Sequence, residues 1–251
     1  MTRQHQEHDI APMPPKHLAH NPRLGFPILL TCLVATLLAP SYFEQPLMGG
    51  LVLSIVLSLL MLSTLYLVAY RLQELLTGIA IAIPVMLTLW WDALLPAPWD
   101  VYAVNGLYIL FTGYIGLLIG RFLFATNRIS LDMILASICL YMLIGLAWAF
   151  IYQLIEVGRP GAFNFLDLDE GHMDSVRYMR SQFAYFSYVT LSTLGYGDIT
   201  PLSRIAQNWA VLEALTGQLY IAVVIARLLG LYINREHSSE TQTGKPPGIR
   251  D

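Results

Sequence analysis

The chain has 251 residues, of which 56 % are hydrophobic and only 12 % charged, against about 25 % charged in soluble domains. With a mean hydropathy of +0.57, this composition excludes a soluble globular domain and points to an integral membrane protein. The formal net charge of −3 is too small to draw a nucleic acid by electrostatics.

Residues 1–24 form a polar tail rich in His, Pro and Gln, read as disordered. It lacks the apolar core of a signal peptide. His5, His8, His17 and His20 make two i,i+3 pairs there, and a solvated tail explains them better than a metal site. Six apolar segments follow, at 25–43, 47–70, 75–95, 101–124, 131–154 and 209–232, each close to the roughly 20 residues that cross a hydrocarbon core. Pro84 falls inside the third, where membrane helices tolerate proline. Cys32 and Cys139 sit in apolar runs and read as reduced.

The fourth segment has no lysine or arginine from Val101 to Gly120. A voltage sensor needs several arginines on one membrane helix, because the field acts on charge. Gly116 and Gly120 have instead the small-residue spacing of close helix packing. Between the fifth and sixth segments lies a polar loop, then a shorter apolar stretch at 182–192 that is too short to span and reads as a re-entrant helix.

Six spans put both termini on one side, together with Arg3, Lys16, Arg23, Arg71, Arg121, Arg128, Arg235, Lys245 and Arg250. The opposite short loops at 41–46 and 92–100 hold no basic residue, so both termini are expected in the cytoplasm. Trp90, Trp91 and Trp99 cluster at the outer boundary as an aromatic belt.

The re-entrant stretch runs into a polar strip, Thr190-Leu-Ser-Thr-Leu-Gly-Tyr-Gly-Asp198. Its Thr193-Leu-Gly-Tyr-Gly197 core resembles the selectivity filter of potassium channels, with Leu194 where valine is commonest. Residues 131–232, roughly the last two-fifths of the chain, resemble the pore module of the tetrameric potassium-channel superfamily; the first four segments show no such likeness. The fold class expected is an all-α membrane protein, with six transmembrane helices and a re-entrant pore helix and selectivity filter between the fifth and sixth. The domains expected are a disordered cytoplasmic tail (1–24), a four-helix membrane module without voltage-sensor charges (25–128), a pore domain (129–233) and a cytoplasmic tail (234–251). That last tail is too short for a nucleotide-binding or ligand-sensing domain of about 100 residues.

The resemblance implies that potassium is ligated by the backbone carbonyls of Thr193, Leu194, Gly195 and Tyr196 and by the Thr193 hydroxyl. Gly195 and Gly197 would supply the left-handed backbone this requires. Asp198 would stand at the outer mouth, and Tyr196 would pack against a collar of Phe183, Tyr185, Phe186 and Tyr188. Val189 occupies the place where some members carry an acid that pairs with the mouth aspartate. Gly217 would be a gating hinge or a packing contact. Gln218, Ile221, Ile225 and Leu228 share a helix face that lines the inner cavity or an interface. Glu213, an acid within a membrane helix, is a functional candidate by default, and with Tyr185 it would support the filter. The loop acids Glu156, Asp167, Asp169, Glu170 and Asp174 against Arg159, Arg177 and Arg180 leave 5 − 3, two net negative charges. These either concentrate cations or make an ordinary solvated loop. His172 is a weaker candidate for a proton sensor.

The function expected is a voltage-insensitive potassium channel subunit of the plasma membrane, assembled with three further copies of itself. Its only bound metal would be the permeant ion, with no organic cofactor, nucleic acid or nucleotide partner. No nucleophile–base set marks an enzyme. The rivals are a weakly selective cation channel, a modulatory subunit, or a secondary cation transporter; the last is disfavoured by a single broken segment and no internal repeat.

Overall fold

The computed structural model describes residues 22–42, 46–69, 72–94, 101–126, 129–166 and 176–243. Among these are seven α-helices: α1 (Pro22–Leu38), α2 (Pro46–Val68), α3 (Leu72–Leu94), α4 (Val101–Ala125), α5 (Leu131–Gly158), α6 (Val176–Leu191) and α7 (Arg204–Thr243). A 3-10 turn (Ala39–Tyr42) follows α1, and two short strands, β1 (Phe163–Phe165) and β2 (Ile199–Pro201), flank α6. Four helices are long and apolar enough to cross a membrane: Leu72–Trp91, Val101–Ala125, Leu131–Gly158 and Arg204–Ile233. Gly25–Leu38 and Leu51–Leu67 are shorter apolar helices.

Two elements differ most in extent from the sequence reading. Helix α6 begins at Val176 rather than 182, and α7 runs from Arg204 to Thr243 rather than from 209 to 232. Hydropathy marks only the apolar part of a helix, whereas backbone hydrogen bonding continues into its polar ends. The predicted tail at 234–251 therefore starts as helix. Pro27 and Pro84 lie inside α1 and α3 without ending them.

Helices α1 to α4 pack each on the next, and both α1 and α4 pack on α5. Phe26 of α1 stacks on Phe122 of α4 at 5.3 Å, and Tyr108 of α4 stacks on Phe150 of α5 at 4.7 Å. Leu29, Leu60, Val85, Phe111 and Leu143 fill the space between them. Gly116 and Gly120 bring α4 against Leu140 of α5, where the small-residue spacing predicts close packing. Hydroxyls within the apolar helices bond back to their own helix, as Thr36 does to the Cys32 carbonyl and Thr112 to that of Tyr108. Backbonding of this kind satisfies a hydroxyl where no other partner is near.

Arg227 joins α7 to this bundle. Its guanidinium donates to the carbonyls of Phe124 (2.8 Å) and Thr126 (2.9 Å) at the C-terminal end of α4 and lies over the Phe124 ring. Helix C-termini leave carbonyls without intrahelical donors, and a cation there also meets the negative end of the dipole. The sequence reading passed over Arg227; its signal was that it is a lone cation within an apolar run.

A second core joins α5 to α6 through Tyr152, Phe163, Phe183 and Phe186, with Ile199 and Ala206 beside them. Ser130 starts α5 as an N-cap, accepting from the Met133 amide. At the other end the Glu156 carboxylate accepts from the amides of Gly161 (2.7 Å) and Phe163 (3.0 Å), which shapes the turn into β1. Strand β1 pairs antiparallel with β2, with Asn164 opposite Thr200.

These contacts correct the loop-charge reading. Glu156 is buried with its carboxylate engaged, and Arg180 is buried in α6 with its guanidinium 4.9 Å from the Tyr108 ring centre. Neither is a solvated loop charge. Asp167, Asp169, Glu170, His172 and Asp174 lie outside the described residues. So do His5, His8, His17, His20, Trp99 and the orientation-setting Arg3, Lys16, Arg71, Arg128, Lys245 and Arg250, together with the side chains of Arg23, Arg177 and Arg235.

Replacing Arg227 by Met should lower the thermal midpoint of the detergent-solubilised chain. About 1.5–3 kcal/mol is expected for each hydrogen bond to the lost charge. Lys at the same position should recover part of the loss, because it keeps the charge but not the fork.

Candidate functional site

The polar strip begins where α6 ends, and the helix is closed by a Schellman motif. The Thr193 amide donates to the Thr190 carbonyl at 2.9 Å, and the Leu194 amide reaches back to the Val189 carbonyl at 2.9 Å. That motif places one residue in the left-handed region, usually glycine. Here the residue is Thr193, with φ of 59°. A β-branched residue in that conformation is an outlier that costs on the order of 1–2 kcal/mol. Such strain points to a functional use of the side chain, and what threonine brings over glycine is a hydroxyl. Gln218 of α7 reaches it, Nε2 to Oγ1, at 3.4 Å.

The left-handed conformation then recurs at every second residue, at Gly195 (61°) and Gly197 (82°), while Leu194 and Tyr196 between them stay outside it. Alternating handedness of this kind turns successive peptide groups the same way, unlike a strand, where they alternate. The run from Ser192 to Gly197 is exposed in the single chain, with Leu194 at 56 % and Tyr196 at 67 %.

Both ends of the strip are tied to the rest of the chain. At its C-terminal end, Asp198 accepts from the Tyr185 hydroxyl (2.6 Å) and the Ile199 amide (3.0 Å), and its carbonyl accepts from the Leu166 amide (3.0 Å). The hydrogen bond to Asp198 favours the protonated phenol and pushes Tyr185 up to about 12, so it donates throughout the ordinary pH range. At the strip's N-terminal end, the Tyr141 hydroxyl donates to the Leu191 carbonyl at 3.1 Å. Gly217 of α7 lies against that same carbonyl, where a Cβ would stand only 2.1 Å away.

The structure therefore brings together Thr193 with Gln218, and Tyr185 with Asp198. Gly217 sits in an unbroken α7, and its contact with Leu191 gives the glycine a packing reason. Glu213 is fully buried behind α6, bonded to Tyr152 and Ser187. Ile221 and Ile225 are exposed, whereas Leu228, expected on the same face, packs against the bundle.

The aromatic collar expected around Tyr196 does not form within the chain. Phe183 and Phe186 face α5 and β1, in edge contacts with Phe163 (5.0 Å) and Tyr152 (5.0 Å). Tyr188 donates to the Met142 carbonyl, and Tyr185 is engaged by Asp198. Phe183, Phe186 and Tyr188 thus turn toward α5 and β1, while Tyr185 meets the strip at Asp198.

A model of the ion-channel family matches residues 137–234, from the second turn of α5 through the strip into α7. Protein LctB of Bacillus caldotenax is 32 % identical over 104 residues, covering 41 % of this chain and 75 % of that protein. Protein LctB of Geobacillus stearothermophilus is 32 % identical over 103 residues, with the same coverage of each. The chain belongs to the ion-channel family. Its apolar helices and this channel domain make it a membrane protein. No solved structure matches the chain. The family match covers the α5–α7 unit and leaves α1 to α4 outside it.

Gly217→Ala tests the contact between α7 and the end of α6. The Leu191 carbonyl is backbone and cannot rotate away, so the added methyl must move a helix, an overpacking of about 1–3 kcal/mol. A clear fall in thermal midpoint is expected; an unchanged midpoint would show that the close approach is absent.

Proposed function

We propose that this ion-channel chain is one subunit of a potassium-selective, voltage-insensitive homotetramer that passes potassium passively down its gradient. The observation that carries this is the left-handed backbone at Thr193, Gly195 and Gly197, with a threonine where glycine is the default. Arranged around an axis, such a strip offers stacked carbonyls of Thr193, Leu194, Gly195 and Tyr196, with the Thr193 hydroxyl at the inner end. Rings of carbonyls can replace the water that potassium sheds. Asp198, held by Tyr185, stands at the outer mouth. Gln218, Ile221 and Ile225 line the inner cavity. No covalent chemistry takes part.

One chain supplies one strip, so a closed pore needs further copies. The exposure of the irregular strip with Leu194 and Tyr196, which cannot be left to lipid, supports a further copy over it. Tyr196 then finds its packing on a neighbouring copy. Six spans follow if α1 and α2 join the four longer helices. The 23 residues of α2 rise about 35 Å at ~1.5 Å each. The 16 residues of α6 rise only about 24 Å and make it the re-entrant pore helix. The negative end of its dipole then favours a cation in the cavity. Both termini face the cytoplasm across the plasma membrane. Voltage insensitivity rests on α4, whose first basic residue is Arg121 near its end, leaving little charge for the field to move.

The test is ion flux from liposomes carrying the full chain. Potassium flux should strongly exceed sodium flux, be blocked by barium and vanish in Gly195→Ala. Equal fluxes of the two ions would leave a weakly selective cation channel. In planar bilayers the open probability should vary only weakly with potential; a steep dependence would contradict the reading of α4.

A further inference from the structure

The contacts behind α6 contain one more hydrogen bond than an ionised carboxylate allows. Tyr152 of α5 donates its hydroxyl to Oε2 of Glu213 on α7. Ser187 of α6 has its Oγ 2.6 Å from the Gly145 carbonyl of α5 and 2.5 Å from Oε1 of Glu213. Ser187 carries one hydroxyl proton. A carbonyl can only accept, so that proton goes to Gly145. The short contact between Ser187 and Oε1 then needs a second proton, and the carboxyl is the group left to carry it. The site is closed: Tyr152, Ser187 and Glu213 are each fully buried. The titratable groups that face Glu213 are Tyr141 and Tyr152 from α5 and Tyr188 from α6. All are phenols, so among the described residues no cation is seen to pair with the carboxyl.

We propose that Glu213 is a positioning residue that acts as a neutral carboxylic acid, donating to Ser187 in a one-way chain from Tyr152 through Glu213 and Ser187 to the Gly145 carbonyl. The chain links α5, α6 and α7 at one point. Ser187 lies six residues before Thr193 on the helix whose end sets the strip. Holding α6 at Ser187 therefore fixes the height and rotation at which the strip begins. An ionised Glu213 can accept from Ser187 but not donate to it. Ser187 would then turn from Gly145 to the carboxylate, and the link from α6 to α5 would open. This inference deepens the channel reading and rests on it, because it assigns a role in the same conducting site.

The experiment uses the full chain in liposomes and compares wild type with Glu213→Gln, Glu213→Leu and Ser187→Ala. Glutamine keeps the shape, accepts from Tyr152 and donates to Ser187 without a titratable proton. Its potassium flux should stay close to that of wild type and remain flat as pH is raised, while wild-type flux falls at alkaline pH. Glu213→Leu and Ser187→Ala should each lower the preference for potassium over sodium by about tenfold, as expected when a buried polar group loses its partner. The double variant should lose little more than either single one. A wild-type pH profile as flat as that of Glu213→Gln would overturn the neutral-acid assignment. Unchanged selectivity in an assembled Glu213→Leu channel would overturn the positioning role. Hydrogen exchange of the α6 amides in detergent reads the same link without flux: protection should persist in Glu213→Gln and drop in Glu213→Leu. If the liposomes carry no ion flux at all, the channel reading fails, and this exchange arm still decides whether Glu213 holds α6.

Discussion

The end of α6 sets the terms for everything around it. A helix that stops among apolar helices exposes carbonyls and amides that must find partners. The chain meets this demand locally with the Schellman closure over Val189–Leu194 and at longer range with the Tyr141 hydroxyl on the Leu191 carbonyl. The close approach of Gly217 follows from the same need, since α7 can press against that carbonyl only where it has no side chain. The left-handed turn at Thr193 is the geometric result, and the strip takes its alternating backbone from there.

Helix α5 gives this arrangement its frame. One side faces α1 and α4, and the other faces α6 and α7. Trp148 and Tyr152 belong to the core beneath α6, whereas Leu140, Leu143 and Leu146 belong to the bundle core. The two cores therefore share a wall, and Arg227 adds a second tie from α7 to the end of α4.

Some of this was open to reading in the sequence. Long apolar runs located α1 to α5 to within a few residues and marked only the apolar part of α7, because hydropathy along a helix is a local property. The strip was legible because its glycines and threonine sit at fixed spacing after a short apolar stretch. What stayed hidden depends on faces and distant partners. Helices α2, α4 and α5 are apolar all round, so no amphipathic stripe says which side meets which neighbour. For that reason the pattern does not show that Phe183, Phe186 and Tyr188 turn toward α5 and β1 while only Tyr185 meets the strip. Glu213 stood out as an acid in an apolar run, but its partners Tyr152 and Ser187 lie 61 and 26 residues away in the chain. Glu156 and Arg180 looked like loop charges because composition cannot show that one closes a turn on backbone amides and the other covers a tyrosine ring.

The strip is anchored at both ends by its own chain, at Leu191 and at Asp198, yet Leu194 and Tyr196 between them find no cover there. In a tetramer of such chains, the boundary between folding and association would fall inside the eight residues from Leu191 to Asp198. On the tetrameric reading, each subunit sets the entry and exit of its own strand while its neighbours shape the middle. Quality control is then collective: a copy with a damaged flank deprives the adjacent copy of the surface that orders its tyrosine. Mixed assemblies should accordingly fail at a lower fraction of damaged chains than simple dilution of good ones would give.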